Sequence, residues 1–191
     1  MSLKVYCGCM FSSKSSTLLS ELTKYADISE NRHILLINHS LDTRDSSKVS
    51  SHSSMYKGIS NKIDLVSTNS LKEVDVSNYS VVGIDEASFF DDLPETVKYW
   101  LTLDKHIICA GIDSDFQMKP FGRIHELVYL ADSFIKLNAV CSVCNKGQAN
   151  PLNVVPAAFT ERLTNSGNLI EIGGSESYIA VCRKHHSYSK I

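Results

Sequence analysis

The chain has little proline, no long uncharged hydrophobic run and no excess of charge of one sign. With four prolines and nine glycines in 191 residues, it does not have the composition of a collagen or of a proline-rich disordered chain. Nineteen Lys and Arg stand against 21 Asp and Glu, so no positive field favours nucleic acid or an anionic membrane. No apolar run approaches the roughly 20 residues that span a bilayer, and the amino terminus lacks the apolar segment of a signal peptide. We therefore expect a cytoplasmic protein with no nucleic-acid and no membrane partner.

The length and the apolar content indicate one ordinary domain with room for a small additional lobe. Hydrophobic residues make up 43% of the chain and charged residues 21%, which allows a buried core and excludes global disorder. Beyond Val140, glycines and prolines become frequent between two cysteine-containing motifs. We place the boundary after residue 138, with a nucleotide-binding domain over 1–138 and a metal-binding lobe over 139–191.

Short apolar runs separated by helical or polar segments predict an α/β fold with a parallel sheet covered on both faces. Between Ser15 and Ile28, apolar residues recur at helical spacing. A serine-rich stretch over 45–61 has too little apolar content to pack, and we interpret it as a mobile loop or a weak hairpin. The predicted strands are 3–10, 33–38, 81–84, 107–112 and 134–140.

Residues 8–15, between the first predicted strand and the first predicted helix, have the spacing of a phosphate-binding loop. The sequence GCMFSSKS matches G-x-x-x-x-G-K-[ST], except that Ser13 replaces the second glycine. In this context, backbone N–H groups and the helix N-terminus would face an anion, Lys14 would contact the β- and γ-phosphates, and Ser15 would bind Mg²⁺. If residue 13 needs a positive φ, serine costs about 1–2 kcal/mol there. The nucleotide-binding residues predicted from this loop are Gly8, Cys9, Met10, Phe11, Ser12, Ser13, Lys14, Ser15 and Ser16.

The alternative interpretation of this loop is a hydroxyl-capped helix that binds no ligand. Two carboxylates directly after the apolar run 81–84 favour the phosphate-binding interpretation. Asp85 fits the role of holding Mg²⁺, usually through water, and Glu86 would lie beside the transferring phosphoryl group, where it could take a proton from an attacking hydroxyl. An exposed acidic strand end is the alternative for this pair. Together with Lys14, the two acids favour phosphoryl transfer.

Two motifs in the second half have the spacing of zinc ligands. C-x-x-C and C-x-x-H supply four ligands, enough to fill a tetrahedral site and to leave no position for a reacting water. We therefore predict a structural Zn²⁺, with His186 as the alternative fourth ligand. The predicted ligands are Cys141, Cys144, Cys182 and His185. The other cysteines lie in predicted strands and are interpreted as ordinary buried thiols: Cys7, Cys9 and Cys109.

These motifs, in this order, resemble the zinc-containing thymidine kinases of cells and large DNA viruses. The resemblance rests on MFSSKS at 10–15, DTR at 42–44, GIDEASFF at 83–90, FQMKPFG at 116–122, the first cysteine pair and IGGSESY at 172–178. It covers nearly the whole chain and implies a P-loop, RecA-like parallel sheet flanked by helices, with a small zinc lobe that carries a lasso loop near 163–178. The chain departs from the family at Ser13, where the family has glycine, and in a longer link between Cys144 and Thr160.

The resemblance also implies a function, which is ATP- and Mg²⁺-dependent phosphorylation of the 5′-hydroxyl of thymidine to dTMP. Glu86 would be the general base, Lys14 would hold ATP, Asp85 would assist the Mg²⁺, and Arg44 would steady charge at the reacting hydroxyl. The family further implies a homotetramer and feedback inhibition by dTTP. The thymidine-contacting residues implied by the resemblance are Met10, Phe89, Ile112, Phe116, Phe121, Thr160, Ile170, Glu171, Ile172, Gly173 and Tyr178.

Two other functions are left open by the sequence. A catalytically weakened nucleotide-binding or regulatory protein of the same fold follows if Ser13 impairs the phosphate loop. A zinc-ribbon protein that binds nucleic acid is the third interpretation, and the net charge of −2 disfavours it.

Overall fold

The computed structural model of the chain describes residues 1–28, 33–40, 62–146, 153–164 and 173–189. No helix within these ranges is both long and apolar enough to cross a bilayer. Several sequence predictions lie outside the described residues: the serine-rich segment 45–61, the DTR motif with Arg44, and Ile170, Glu171 and Ile172 of the lasso.

Six parallel strands form the central sheet, in the order β3-β2-β4-β5-β1-β6. Because every pairing is parallel, the carboxyl ends of all six strands lie at one edge of the sheet, where ligands bind in open α/β folds. The predicted α/β fold with a parallel sheet is confirmed. The strands are β1 (Ser2–Gly8), β2 (Ile34–His39), β3 (Ile63–Thr68), β4 (Val81–Ile84), β5 (His106–Ile112) and β6 (Ser133–Leu137).

One helix packs on each face of this sheet. The first, α1 (Lys14–Ile28), buries Leu18 and Leu22, which are four residues apart and therefore lie on one side of the helix. The second, α2 (Leu93–Thr102), buries Trp100 against the opposite face. Each strand thus contributes alternate side chains to two separate cores, which explains why β1, β4 and β5 are apolar almost throughout.

The predicted helix and the first four predicted strands are confirmed to within about two residues. The predicted strand 134–140 is wrong in its extent. Strand β6 ends at Leu137, Asn138 belongs to no strand, and a separate strand begins at Ala139. The polypeptide turns there from the large sheet into a different one, and apolar residues on both sides of Asn138 do not reveal this change. Two elements of the part before residue 138, β3 and α2, were not predicted, and neither were three of the short strands that follow it.

Residues after 138 contain two small antiparallel sheets, in which β7 pairs with β8 and β9 pairs with β10. Cys9, just beyond β1, belongs to the same buried cluster as Ala157 and donates its thiol proton to the Ala157 carbonyl at 3.3 Å. The end of β1 is therefore packed directly against these sheets. A division into two domains at residue 138 stays a prediction. The strands are β7 (Ala139–Val140), β8 (Pro156–Ala157), β9 (Phe159–Arg162) and β10 (Tyr178–Val181).

Candidate active site

The predicted phosphate-binding loop connects β1 to α1. Gly8 has a φ of 144°, and a Cβ at this position would collide with the Leu137 carbonyl of β6. Glycine is therefore required both by backbone conformation and by the close approach of the neighbouring strand. Ser12 Oγ donates to the Cys9 carbonyl at 2.8 Å, a hydrogen bond within the loop that stabilises its conformation. Because α1 begins at Lys14, the N–H groups of its first turn have no intrahelical acceptor and can face an anion.

Ser13 adopts the left-handed conformation that the sequence motif reserves for glycine. Its φ is 62°, and Phe11 is also left-handed with a φ of 65°. Residue 13 therefore has a positive φ, and serine in this conformation costs about 1–2 kcal/mol relative to glycine. The Ser13 carbonyl accepts hydrogen bonds from both the N–H and the hydroxyl of Thr17, at 2.9 Å and 2.8 Å. These bonds hold the loop in its folded conformation in spite of the missing glycine.

We expect Ser13→Gly to raise the free energy of unfolding by about 0.5–1 kcal/mol, because relief of the left-handed strain exceeds the larger unfolded-state entropy of glycine. Urea unfolding of both proteins measures the difference. Ser20→Gly is the matched control, since Ser20 is exposed within α1 and glycine should lower stability there by about 0.5 kcal/mol. We expect kcat for phosphoryl transfer to change by less than about threefold. A gain in kcat above about tenfold would support the alternative of a catalytically weakened protein.

Lys14 is buried beside two carboxylates at the carboxyl edge of the sheet. Its Nζ donates to the Cys9 carbonyl at 2.7 Å. Burial lowers the pKa of Lys14, and the negative charges of Glu86 and Asp85 act in the opposite direction. Among the charges near Lys14, that of Glu86 has the largest effect. The structure thus brings together the ammonium group and the two acids that the sequence places about 70 residues apart.

Asp85 directly follows β4, and two hydrogen bonds hold its carboxylate in place. It is 3% exposed, and its Oδ1 accepts the Ser15 hydroxyl at 2.9 Å and the Glu86 N–H at 2.9 Å. Its own N–H donates to the Ile37 carbonyl of β2 at 2.8 Å, which fixes the backbone at the strand end. The Ser15 hydroxyl and the Asp85 carboxylate therefore lie together beside the phosphate loop, as expected if the hydroxyl binds Mg²⁺ directly and the carboxylate binds it through water.

Glu86 lies in the turn that follows β4. It is 7% exposed and has left-handed angles, φ 49° and ψ 38°, immediately before a 3-10 turn at Ala87–Phe89. A left-handed, non-glycine residue with a buried carboxylate is uncommon and is found more often at functional sites than elsewhere. The turn places Glu86 next to Lys14 and carries the chain on to Phe89, the first of the predicted thymidine-contacting aromatic residues.

The loop after β5 packs against this turn. The Phe89 and Phe121 rings meet edge to face with centroids 5.3 Å apart. Gly122 has a φ of 57°, and any Cβ there would overlap the Ser88 carbonyl, so only glycine permits the approach. On the other side of the turn, Ser88 Oγ donates to the Ile112 carbonyl at 2.5 Å. Three of the predicted thymidine-contacting residues, Phe89, Ile112 and Phe121, are therefore held in one assembly.

The remaining described residues of the predicted thymidine site belong to the phosphate loop, the loop after β5 and strands β9 and β10. Met10 N–H donates to Thr160 Oγ1 at 3.0 Å and joins the phosphate loop to β9. Phe116 and Tyr178 share a neighbour, the guanidinium of Arg162. Gly173 lies against the Ser177 side chain, without room for a Cβ.

The four predicted zinc ligands form one cluster, with all ligand atoms within 4.8 Å of one another. The Cys144 and Cys182 sulfurs are 3.7 Å apart, against the separation of about 3.8 Å that a tetrahedral zinc with 2.3 Å bonds would impose. His185 Nδ1 lies 3.3 Å, 3.5 Å and 3.8 Å from the three sulfurs. Three thiols and one imidazole at these distances fit Zn²⁺ and leave no open position. The cluster consists of Cys141, Cys144, Cys182 and His185.

His186 is turned away from this cluster and has a separate role. It is completely buried, its Nδ1 accepts the Tyr188 N–H at 3.2 Å, and its Nε2 donates to the Thr160 carbonyl at 3.2 Å. These two bonds fix the orientation of the ring. Of the two adjacent histidines, His185 is thus the one at the cluster, while His186 connects the zinc segment to the strand that carries Thr160.

Comparison with known proteins agrees with this architecture along almost the whole chain. The model of the thymidine kinase family matches residues 1–186. The chain belongs to the thymidine kinase family. It is 36% identical over 183 residues to the cytosolic thymidine kinase of Cricetulus griseus, an alignment that covers 95% of this chain and 71% of that protein. The thymidine kinase of Rabbit fibroma virus is 35% identical over 179 residues, covering 93% and 91%, and that of Mycoplasma genitalium is 35% identical over 196 residues, covering 97% and 83%.

Family membership confirms the resemblance found in the sequence. As a member of the thymidine kinase family the chain is a phosphotransferase, an enzyme that uses ATP as phosphoryl donor. The match does not favour the weakened regulatory protein that Ser13 had suggested as the alternative.

Sequence reasoning missed an ion pair beside the phosphate loop, which Asp113 forms with Lys136. Asp113 follows β5 as Asp85 follows β4, and its Oδ2 lies 2.6 Å from Lys136 Nζ. Asp113 Oδ1 is buried and accepts no hydrogen bond from the residues that the structure describes. Its charge also acts on Lys14. The signal was present, because an acid directly after a buried strand is the same pattern that identified Asp85.

The cysteines outside the metal cluster are buried, as predicted. Burial raises the pKa of the Cys7 thiol to about 11 and also raises the pKa values of Cys9 and Cys109. All three are therefore protonated at neutral pH and behave as small apolar groups in the core.

Proposed function

We propose that the chain transfers the γ-phosphoryl group of ATP to the 5′-hydroxyl of thymidine and releases dTMP and ADP. The observation that carries this proposal is the convergence of Lys14, Asp85 and Glu86 at the end of the sheet, in a chain that belongs to the thymidine kinase family. Phosphoryl transfer needs mainly charge stabilisation and positioning. A buried ammonium beside two buried carboxylates provides both kinds of charge.

The phosphate loop would hold the triphosphate. Gly8 to Ser16 present backbone N–H groups at the start of α1, and Lys14 supplies the positive charge. In this structure Lys14 Nζ donates to the Cys9 carbonyl. A phosphate oxygen carries a full negative charge and is a stronger acceptor than a carbonyl, so ATP would take the place of Cys9 as the partner of Lys14.

Ser15 and Asp85 would hold Mg²⁺, directly through the hydroxyl and through water for the carboxylate. The metal, when bound, neutralises charge that develops on the β- and γ-phosphates. Ser15 donates its proton to Asp85 and keeps the lone pairs of its oxygen, so the hydroxyl could bind Mg²⁺ without breaking this hydrogen bond. The Glu86 N–H continues to hold Asp85 Oδ1 in place.

Glu86 would act as the general base. Its carboxylate accepts the proton of the 5′-hydroxyl while that oxygen attacks the γ-phosphorus and the bond to the β,γ-bridging oxygen breaks. Arg44, which lies outside the described residues, would steady negative charge near the reacting hydroxyl.

The thymine base would lie among aromatic and aliphatic side chains, with main-chain groups of the lasso reading its edge. The residues proposed for this site include Met10, Phe89, Ile112 and Thr160 from the described part, and Ile170, Glu171 and Ile172 outside it. A wrong base leaves buried donors and acceptors unpaired, which is costly, whereas the thymine methyl group contributes only about 1–3 kcal/mol of selectivity. Uracil should therefore be discriminated less strongly than a purine.

Three further properties complete the proposal. The relative from Cricetulus griseus is named a cytosolic enzyme, and we assign the same compartment to this chain. The resemblance supports a homotetramer and feedback inhibition by dTTP, which shares the thymine base with the substrate and the triphosphate group with ATP.

The decisive test is thymidine-dependent formation of ADP. We expect the purified, zinc-loaded protein to form ADP and dTMP in equal amounts from ATP, Mg²⁺ and thymidine, and to lose this activity when thymidine or Mg²⁺ is omitted. Deoxyadenosine is the control nucleoside and should give no comparable turnover. A folded protein with its zinc in place that forms no dTMP would contradict the proposal.

A further inference from the structure

Arg162 of β9 links the two halves of the predicted thymidine site. Its Cζ atom lies 3.8 Å from the centroid of the Phe116 ring, well inside the distance for a cation–π contact. The same atom lies 5.5 Å from the Tyr178 ring centroid, and Nη2 donates to the Tyr178 hydroxyl at 3.1 Å. Phe116 comes from the loop after β5, whereas Tyr178 begins β10, so one side chain connects two distant parts of the chain.

The loop that carries Phe116 is held in a tight turn. Asp115 Oδ1 accepts the N–H groups of Gln117 and Lys119 at 2.8 Å and 2.9 Å, and Ser114 pairs with Pro120 in an isolated bridge. These bonds fix the backbone on both sides of Phe116 but do not hold its ring. The ring itself is covered by the stacked guanidinium of Arg162.

The other side of the contact is fixed by strand register. Arg162 and Tyr178 are direct partners in the antiparallel pairing of β9 with β10, which brings their side chains to the same face. Tyr178 is 7% exposed, so its hydroxyl gains a donor that water cannot easily replace. Thr160, two residues before Arg162 on the same strand, receives the Met10 N–H.

We propose that Arg162 is a positioning residue that fixes the separation of Phe116 from Tyr178 and thereby the affinity for thymidine. This inference rests on the proposed function, because it takes these two rings as walls of the thymidine site. Arg162 belongs to none of the groups assigned to the phosphates, the metal or the proton transfer. It should therefore affect binding of thymidine and leave the chemical step unchanged.

Arginine suits this role better than lysine does. Its planar guanidinium lies flat on an aromatic ring while an edge N–H group remains available to a hydroxyl. A lysine ammonium can stay near the Phe116 ring but cannot stack on it and donate to Tyr178 in the same geometry. Lysine should therefore keep part of the thymidine affinity that is lost with an uncharged side chain.

Steady-state kinetics and calorimetry of Arg162→Met provide the test. Methionine keeps the length and the apolar stem but loses the charge and the N–H donors. We expect KM and Kd for thymidine to rise about tenfold, with kcat and the KM for ATP within about twofold of the parent. Arg162→Lys should give a rise of about threefold. An unchanged KM and Kd in Arg162→Met, or a loss confined to kcat, would overturn the inference.

Arg183→Met is the matched control, because the Arg183 guanidinium also stacks on an aromatic ring, with Cζ 4.6 Å from the centroid of Phe159. It should leave the KM for thymidine within about twofold. Zinc content and the thermal midpoint are measured for both variants, and a rise in KM as large in Arg183→Met as in Arg162→Met would reduce Arg162 to a general stabilising residue.

A double-mutant cycle with Tyr178→Phe tests the contact itself. Alone, this variant should raise the KM for thymidine about threefold, but in the Arg162→Met background it should add less than about 1.5-fold. Multiplicative effects would contradict the proposed coupling. A parent protein without thymidine-dependent turnover would defeat the proposed function, whereas an active parent whose thymidine affinity survives Arg162→Met would defeat this inference alone.

Discussion

Glu86→Gln should lower kcat for thymidine phosphorylation by about 10²–10⁴, the usual contribution of a positioned general base. Glutamine has nearly the same shape as glutamate, so the buried turn at residue 86 should keep its fold, but its neutral amide cannot accept the proton of the 5′-hydroxyl. Saturating thymidine and ATP are used, so that the change in kcat is separated from any change in binding. Retention of the full rate would remove Glu86 from the mechanism.

Glu95→Gln is the control for this substitution. Glu95 lies on α2 and forms an exposed ion pair with Arg123, with an Nη2 to Oε1 distance of 2.8 Å. Exposed pairs contribute little to stability, about 0–1 kcal/mol, and this one lies outside the proposed active site. The same chemical change at Glu95 should therefore leave kcat unchanged within about twofold.

A second effect of Glu86→Gln can be separated by its pH dependence. The negative charge of Glu86 raises the pKa of Lys14 against the lowering effect of burial, so its removal lowers the pKa of Lys14 further. A loss caused by deprotonated Lys14 would grow as pH rises and would be relieved as pH falls. Loss of the base should persist at low pH, and the pH profile of kcat in the variant distinguishes the two causes.

The parts of the fold that could be predicted are those whose signals are local and strong. Strands β1, β4 and β5 are buried on both faces over most of their length, so most of their residues are apolar. In contrast, β3 lies at the edge of the sheet and exposes residues such as Asp64, which weakens its pattern. In the helix α2 the buried residues Leu93, Val97 and Trp100 recur at helical spacing, so its signal was present in the sequence and was missed.

The same distinction holds at the site. Fixed sequence spacing identified the phosphate loop and the zinc pairs, because each depends on a single turn of the backbone. The roles of Arg162 and His186 depend on which strands become neighbours, and this is decided by packing over the whole chain. Arg162 in particular acts through a ring 46 residues away in sequence, a distance at which no spacing rule applies.

Removal of zinc should abolish most of the kinase activity while leaving much of the six-stranded sheet folded. The cluster joins the segment after β7, which carries Cys141, to the segment after β10, which carries His185. Without the metal, His186 would no longer be held against the Thr160 carbonyl, and Thr160 would lose its fixed position beside Met10. Misplacement of a binding group by about 1 Å can cost about 10² in rate, so we expect kcat/KM for thymidine to fall by at least about that factor.

The experiment uses a chelator that removes Zn²⁺ but not Mg²⁺, followed by addition of Zn²⁺. We expect the loss of activity to follow the zinc content, far-UV circular dichroism to change little, and the added metal to restore the rate. Cys144→Ser should reproduce the loss, because it removes one of the ligands in the cluster. Cys109→Ala removes a thiol that is buried in β5 and should keep its zinc and its activity. Full activity in a zinc-free protein would show that the small sheets hold the thymidine site without the metal, and it would separate the cluster from function.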